Sequence, residues 1–170
     1  SGPCAIRVTG NLTLTACARF YDREVTITGV GDPAPVLARG AGFASQSDSA
    51  RGWYNPAMVE IQTTAAPAAL TLENIVLDDS AAHEGTLFVQ AAAGEDNPAR
   101  VQDAVVTSNA TMDCTITLGR GAVIRNFGGM SAVRVTDKAC LVMREGSRIE
   151  DTQVIERASG GAPGETGPAG

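Results

Sequence analysis

Aromatic residues are scarce in this chain: four Phe, two Tyr and one Trp among 170 residues. A core built on large rings is therefore poorly supplied. Histidine occurs once, at His83, which excludes a zinc site of several histidines; the surrounding Ala-Ala-His-Glu-Gly reads as a surface loop. Basic charge is also short, with 13 Lys and Arg against 19 Asp and Glu and a net charge of −6. Neither half of the chain is basic, so a nucleic-acid partner, which needs a basic stripe, is not expected. Twelve of the thirteen basic residues are arginine, a bias that codon usage explains more simply than ligand recognition. No run of about 18 apolar residues occurs, so no membrane-spanning helix is expected. Helical periodicity is almost absent. An initiator methionine and a signal peptide are lacking too, and Ser1-Gly2-Pro3 reads as a remnant ahead of the first strand. The chain is thus expected to be an excised piece of something longer.

Short alternating strands fill the space those absences leave. Cys4–Val8, Asn11–Thr15, Glu24–Gly29, Met58–Gln62 and Ala69–Leu77 alternate apolar with polar residues, the period-two mark of half-buried strands. Val, Ile, Leu and Thr carry the pattern, and Gly31-Asp32-Pro33 punctuates it. The length suits a single domain over 1–157, with an irregular insertion at 40–56 and a Gly/Pro-rich tail at 158–170.

Internal repetition organises the chain. Ile116-Thr-Leu118-Gly-Arg-Gly121-Ala-Val-Ile124 is echoed by Leu141-Val-Met143-Arg-Glu-Gly146-Ser-Arg-Ile149, each position 25 residues on. Thr86–Gln90 echoes Met58–Gln62 at 28. Leu70-Thr-Leu72 recurs as Ile116-Thr-Leu118 at 46, and Val89 as Val135 at the same offset. We read 46 as two turns of about 23. A unit of 23–28 residues predicts an all-β solenoid, a parallel β-helix in which each inward aliphatic sits on its equivalent one turn away. The expected inward set is Ile6, Val8, Leu12, Leu14, Val25, Ile27, Val59, Ile61, Leu70, Leu72, Leu87, Val89, Ile116, Leu118, Val133, Val135, Leu141 and Met143. A β-sandwich of a dozen short strands satisfies the same alternation and stands as the alternative.

The phrases LTLENIVLDD (70–79), ITLGRGAVIRNFGGMSAVRV (116–135) and LVMREGSRIED (141–151) resemble turns of the right-handed parallel β-helix of the pectin-lyase-like superfamily. More narrowly, they resemble repeats of large bacterial cell-surface and adhesin-like proteins. The resemblance covers Met58 to Asp151. It implies secretion and an extracellular or cell-surface location, with adhesion, glycan or host-ligand binding, or a structural stalk, as function. Further β-helix turns of the parent chain are implied as partners, with no membrane insertion. Asn74 and Asn126 match the family's asparagine-ladder position, whereas Glu150 or Asp151 replaces it in the last unit.

Several members of that superfamily cleave polysaccharides, with a calcium ion held by carboxylates in the lyases or paired acids in the hydrolases. The residues that would serve here are Asp78, Asp79, Asp151 and Arg125, with Arg134 near the same face. Solvated turn residues are the plainer reading of the acids, and the chain is expected to be non-catalytic and free of cofactors.

The stronger candidate is the 40–56 insertion. Trp53 and Tyr54 stand there beside Arg51, Asp48 and Asn55, the mixture that stacks on sugar faces and bonds their hydroxyls. The same aromatics also suit a cover over an open end or face. Ser45, Ser47 and Ser49 have no nearby histidine, so a nucleophilic triad is unsupported. Of the four cysteines, Cys114 and Cys4 share inward parity, Cys17 and Cys140 fall at corners or outside, and a Cys4–Cys17 link is one possible pairing.

Overall fold

The computed structural model describes residues 2–40, 43, 47–48, 53–54, 57–80, 104–127, 131–135 and 138–151, and structural statements refer to these. They contain sixteen strands and no α-helix. In chain order these are β1 (Cys4–Val8), β2 (Leu12–Leu14), β3 (Ala18–Tyr21), β4 (Glu24–Gly29), β5 (Val36–Arg39), β6 (Ser47–Asp48), β7 (Trp53–Tyr54) and β8 (Val59–Thr63). There follow β9 (Ala68–Glu73), β10 (Val76–Asp78), β11 (Ala104–Ala110), β12 (Cys114–Leu118), β13 (Val123–Arg125), β14 (Ser131–Arg134), β15 (Ala139–Met143) and β16 (Arg148–Glu150).

Three parallel sheets collect these strands in rotation. Sheet A has the order β1-β4-β9-β12-β15, sheet B the order β16-β13-β10-β5-β2, and sheet C the order β14-β11-β8-β3. Each return to a sheet passes through strands of the other two, which act as the long crossover that parallel pairing requires. The antiparallel sandwich is therefore not what these strands build. Among the described residues only β6 and β7 pair antiparallel.

Register stacks like upon like. Cys4, Val25, Leu70, Ile116 and Leu141 form one row across sheet A, and Ile6, Ile27, Leu72, Leu118 and Met143 the next. Leu12, Leu37, Leu77, Ile124 and Ile149 cross sheet B, and Ala18, Val59, Val106 and Val133 cross sheet C. In β9 and β12 every second residue is buried, as the alternation requires. Leu70, Leu72, Leu77, Ile116, Leu118 and Ile124 are wholly buried. Each such side chain stabilises the fold by about 1.5–3 kcal/mol relative to exposure.

The folded register departs from the sequence expectations at four points. Leu70 and Ile116 are direct partners, so the offset of 46 is one step between neighbouring strands and not two. The chain between β10 and β11, residues 79–103, accounts for the excess; Leu87, Val89 and the 86–90 echo lie outside the described residues. Second, the unit is not uniform at 23–28. Neighbouring strands are 25 apart from Ile116 to Leu141, but 41 from Ala18 to Val59 and 47 from Val59 to Val106. Third, Leu12, Val135, Leu141 and Met143 are exposed although the first, third and fourth hold the interior register. Leu12 sits on the outermost strand of sheet B, and Leu141 and Met143 on that of sheet A, where one neighbour is missing. Fourth, Asn74 and Asn126 do not share a ladder. Asn74 follows β9 at the corner from sheet A to sheet B, whereas Asn126 follows β13 at the corner from B to C.

Candidate functional site

The corner between sheets B and C collects the acidic candidates. In-register pairing sets Asp78 beside Ala38 on one side and Arg125 on the other. The residues that follow, Arg39, Asp79, Asn126 and Asp151, are therefore carried to the same corner on successive strands. Arg125 Nε donates to Asp78 Oδ2 at 2.8 Å, and Asn126 Nδ2 reaches both Asp78 oxygens at 3.2 Å. The Ser80 amide adds a bond to Asp78 Oδ1 at 3.0 Å. Burial works to raise the Asp78 pKa, but the bonds from Asn126, Ser80 and Arg125 outweigh it and the net shift is downward. Asp78 is thus an ionised acceptor at neutral pH, the opposite of what a general acid needs.

Asp79 is paired with the other strand. Its carboxylate bonds Arg39 Nε, with both side chains almost fully buried, and the Arg39 guanidinium lies over the Phe43 ring at 4.6 Å from its centroid. Asp151 sits one strand beyond Asn126 and two beyond Asp79. The structure therefore joins Asp78 to Arg125, as the sequence suggested, but not to Asp151, and it joins Asp79 to Arg39. Both oxygens of Asp78 are engaged and Asp79 faces a guanidinium, so this pair does not fit a calcium ion. Among the described residues no group of three or more His, Cys, Asp or Glu is arranged to hold a metal.

A second charged group went unread in the sequence. On sheet C, Arg19, Glu60, Thr107 and Arg134 form one row by register. Glu60 is buried and accepts from Arg19 Nε at 2.7 Å and from Gln62 Nε2 at 2.6 Å. Burial, followed by the Glu60 charge, pushes the nearby Cys17 thiol up to about 11. Opposite charges at 19 and 60 were the available signal, but the offset of 41 that aligns them becomes visible only once β3 and β8 are known to pair.

The insertion residues take a more regular form than the sequence suggested. β6 and β7 make a two-stranded ribbon between β5 and β8, with Asp48 opposite Trp53 and Ser47 opposite Tyr54. Arg51, Asn55, Ser45, Ser49 and His83 lie outside the described residues. The ribbon's entry and exit are well fixed. Gly40 N donates to Leu14 O at 2.9 Å and Phe43 N to Gly40 O at 3.0 Å, while at the exit Met58 N donates to Val105 O at 2.9 Å.

The outward face of sheet A has a different character. Ala5, Thr26, Thr71, Thr117 and Val142 cross it in one uncharged row. All four cysteines are free thiols, so Cys4 and Cys17 are not linked. Comparison with protein-family models, curated proteins and solved structures found no match. Among the described residues no helix is long and apolar enough to cross a membrane.

Proposed function

We propose that this chain is a non-catalytic stretch of right-handed parallel β-helix from a secreted or cell-surface protein, and that it presents a ligand-binding ribbon. Strands visiting three parallel sheets in strict rotation, with aliphatics stacked in register, support the helical coil. One observation carries the binding reading: between β5 and β8 the chain forms the antiparallel pair β6–β7, whose register sets Asp48 opposite Trp53. A hairpin rich in polar and aromatic residues, inserted between two strands of a regular scaffold, matches how binding loops are built. The ligand class it fits is a glycan of a cell or host surface, with the ring of Trp53 stacking on a sugar face and Asp48 bonding hydroxyls. Glycan-array binding tests this, with Trp53→Ala expected to abolish the signal. Equal binding by the variant would remove the ribbon from the function.

Polysaccharide lysis or hydrolysis at the sheet B–C corner is the second reading, because Asp78 and Arg125 do meet there. It is the weaker of the two, since their charges satisfy one another. Calcium-dependent release of unsaturated, ultraviolet-absorbing sugars would establish it in place of the first.

A further inference from the structure

Three ion pairs join neighbouring strands among the described residues, and each joins residues that stand in register. Arg19 of β3 lies beside Glu60 of β8 and bonds it at 2.7 Å. Asp78 of β10 lies beside Arg125 of β13 and accepts from it at 2.8 Å. Arg39 and Asp79 come directly after the paired Ala38 and Asp78, and their bonded side chains are almost fully buried. The three offsets are 41, 47 and 40 residues. Each pair therefore ties together two strands whose intervening chain includes one of the long connections, 40–58 or 79–103. The last two strands differ. β15 and β16 follow their partners by 25 residues, and no ion pair among the described residues crosses to them. Glu150 stands in register with Arg125, yet it bonds Arg148 of its own strand at 3.0 Å.

We infer that these pairs are a register key: they fix which residues stack on which wherever a long connection brings the chain back to the coil. A short corner dictates register by its own length, whereas a long connection leaves it to the strands. The aliphatic rows do not decide it alone. Sliding β5 by two residues along β10 would keep every face and set Leu37 on Ile75 and Arg39 on Leu77, both wholly buried aliphatics. The same slide of β3 along β8 would set Phe20 on Val59 and Arg19 on Met58. What these slips forfeit is the partner of a buried charge, and an unpaired buried charge is strongly disfavoured. One key at each level suffices. β9 passes into β10 through the single corner at Asn74, so seating β10 on β5 also seats β9 on β4.

Methyl NMR of the whole chain tests this. Arg39→Met combined with Asp79→Leu removes both charges and keeps the side chains bulky and apolar. That variant is expected to fold with a Tm at or above the parent's, because a buried ion pair is often replaceable by apolar packing. Its Leu37 and Leu77 methyl signals are expected to split into two sets, with their mutual nuclear Overhauser effect at least halved. The contact of Ile116 with Leu141 is expected to be unchanged. Reversing the pair, Arg39→Asp with Asp79→Arg, is expected to restore one set of signals. A single set with the full Leu37–Leu77 contact in the apolar variant overturns the proposal, as does a reversed pair whose signals stay split. Should the apolar variant not fold, Arg19→Met with Glu60→Met puts the same question to β3 and β8, read at Phe20 and Ile61. Failure of both apolar variants to fold also overturns the proposal, since the pairs would then hold the fold together and not select its register.

Discussion

The carboxylate of Asp22 is seated on the backbone of Thr64, 42 residues further along the chain. Its Oδ1 accepts from the amides of Thr64, Ala65 and Ala66 at 2.6, 2.9 and 3.2 Å, and Oδ2 accepts from the Thr64 hydroxyl at 2.7 Å. Asp22 closes the strand β3 and reaches the corner that follows β8, so it fastens one corner to the next. Those bonds, the Thr64 amide foremost, hold its pKa well below the usual carboxylate range. A carboxyl depressed in the folded state adds stability above its unfolded value of about 4, and that stability is lost as pH falls toward the folded value. Asp22→Asn is therefore expected to lower Tm at pH 7, with the gap from the parent narrowing progressively as pH falls below about 4. A gap of the same size at pH 2.5 and 7 would show that the charge contributes nothing.

Position within a row decides what a side chain contributes. Ile116 lies between Leu70 and Leu141 and is wholly buried, whereas Leu141 has a partner on one side only and is 36% exposed. Ile116→Ala is expected to cost about 2–5 kcal/mol, because it leaves a cavity between two neighbours. Leu141→Ala is expected to cost less than about 1 kcal/mol. Urea titrations of the two variants check this, and equal losses would mean that Leu141 is covered in solution.

The pairing of Ile116 with Leu141 was legible because only the strands β13 and β14 and their connections lie between β12 and β15. That of Leu70 with Ile116 was misread for a physical reason. Repeat phrases report which side chains stack, but they carry no record of whether intervening residues make another strand of the sheet or leave it and return. The same uncertainty hid Arg39–Asp79, Arg19–Glu60 and Asp22–Thr64, which are 40 to 42 residues apart. Each contact needs an offset that only the folded register supplies. Asp78 and Arg125 were named together from strand-end positions, yet their mutual neutralisation depends on geometry that no spacing reveals. The regular ribbon in the 40–56 insertion was not legible at all, since two residues per strand are too few for a period.

The corner from sheet A to sheet B is built on close backbone approach. Asn74 adopts φ 45° and donates through Nδ2 to the carbonyls of Gly29 and Gly31, both at 3.0 Å. Gly121 lies against it at φ 71°, where a Cβ would come to 3.3 Å from Asn74 Cα. Gly121→Ala is expected to destabilise by about 1–3 kcal/mol, from left-handed strain together with that contact. Asn74 separates the two contributions. Asn74→Gly and Asn74→Ala both lose the hydrogen bonds, but only Gly relieves the left-handed strain, so the Tm of Asn74→Gly is expected to lie above that of Asn74→Ala; the reverse order would show that strain at residue 74 counts for less than the contacts of a Cβ there.

Thiol chemistry gives an independent reading of which face of sheet A is turned inward. Cys114 and Cys140 lie on adjacent strands but one register position apart, since Cys140 pairs with Thr115 and Cys114 with Ala139. They consequently occupy opposite faces of the sheet. Cys114 is 3% exposed, and burial first, then the neighbouring Cys140, pushes its thiol up to about 11. Cys140 is exposed, with its sulfur 3.5 Å from the Thr115 hydroxyl. The thiolate is the reactive species, so at pH 8 Cys114 is disfavoured twice, by access and by protonation. Maleimide labelling followed by peptide mapping is expected to modify Cys140 within minutes and Cys114 only after denaturation. Cys140→Ser is expected to remove the fast phase and leave Cys114 protected. Rapid labelling of Cys114 in the folded variant would place residue 114 on the solvent side, and with it Ile116 and Leu118, which share its parity. The rows that hold the three sheets together would then have to be drawn the other way out.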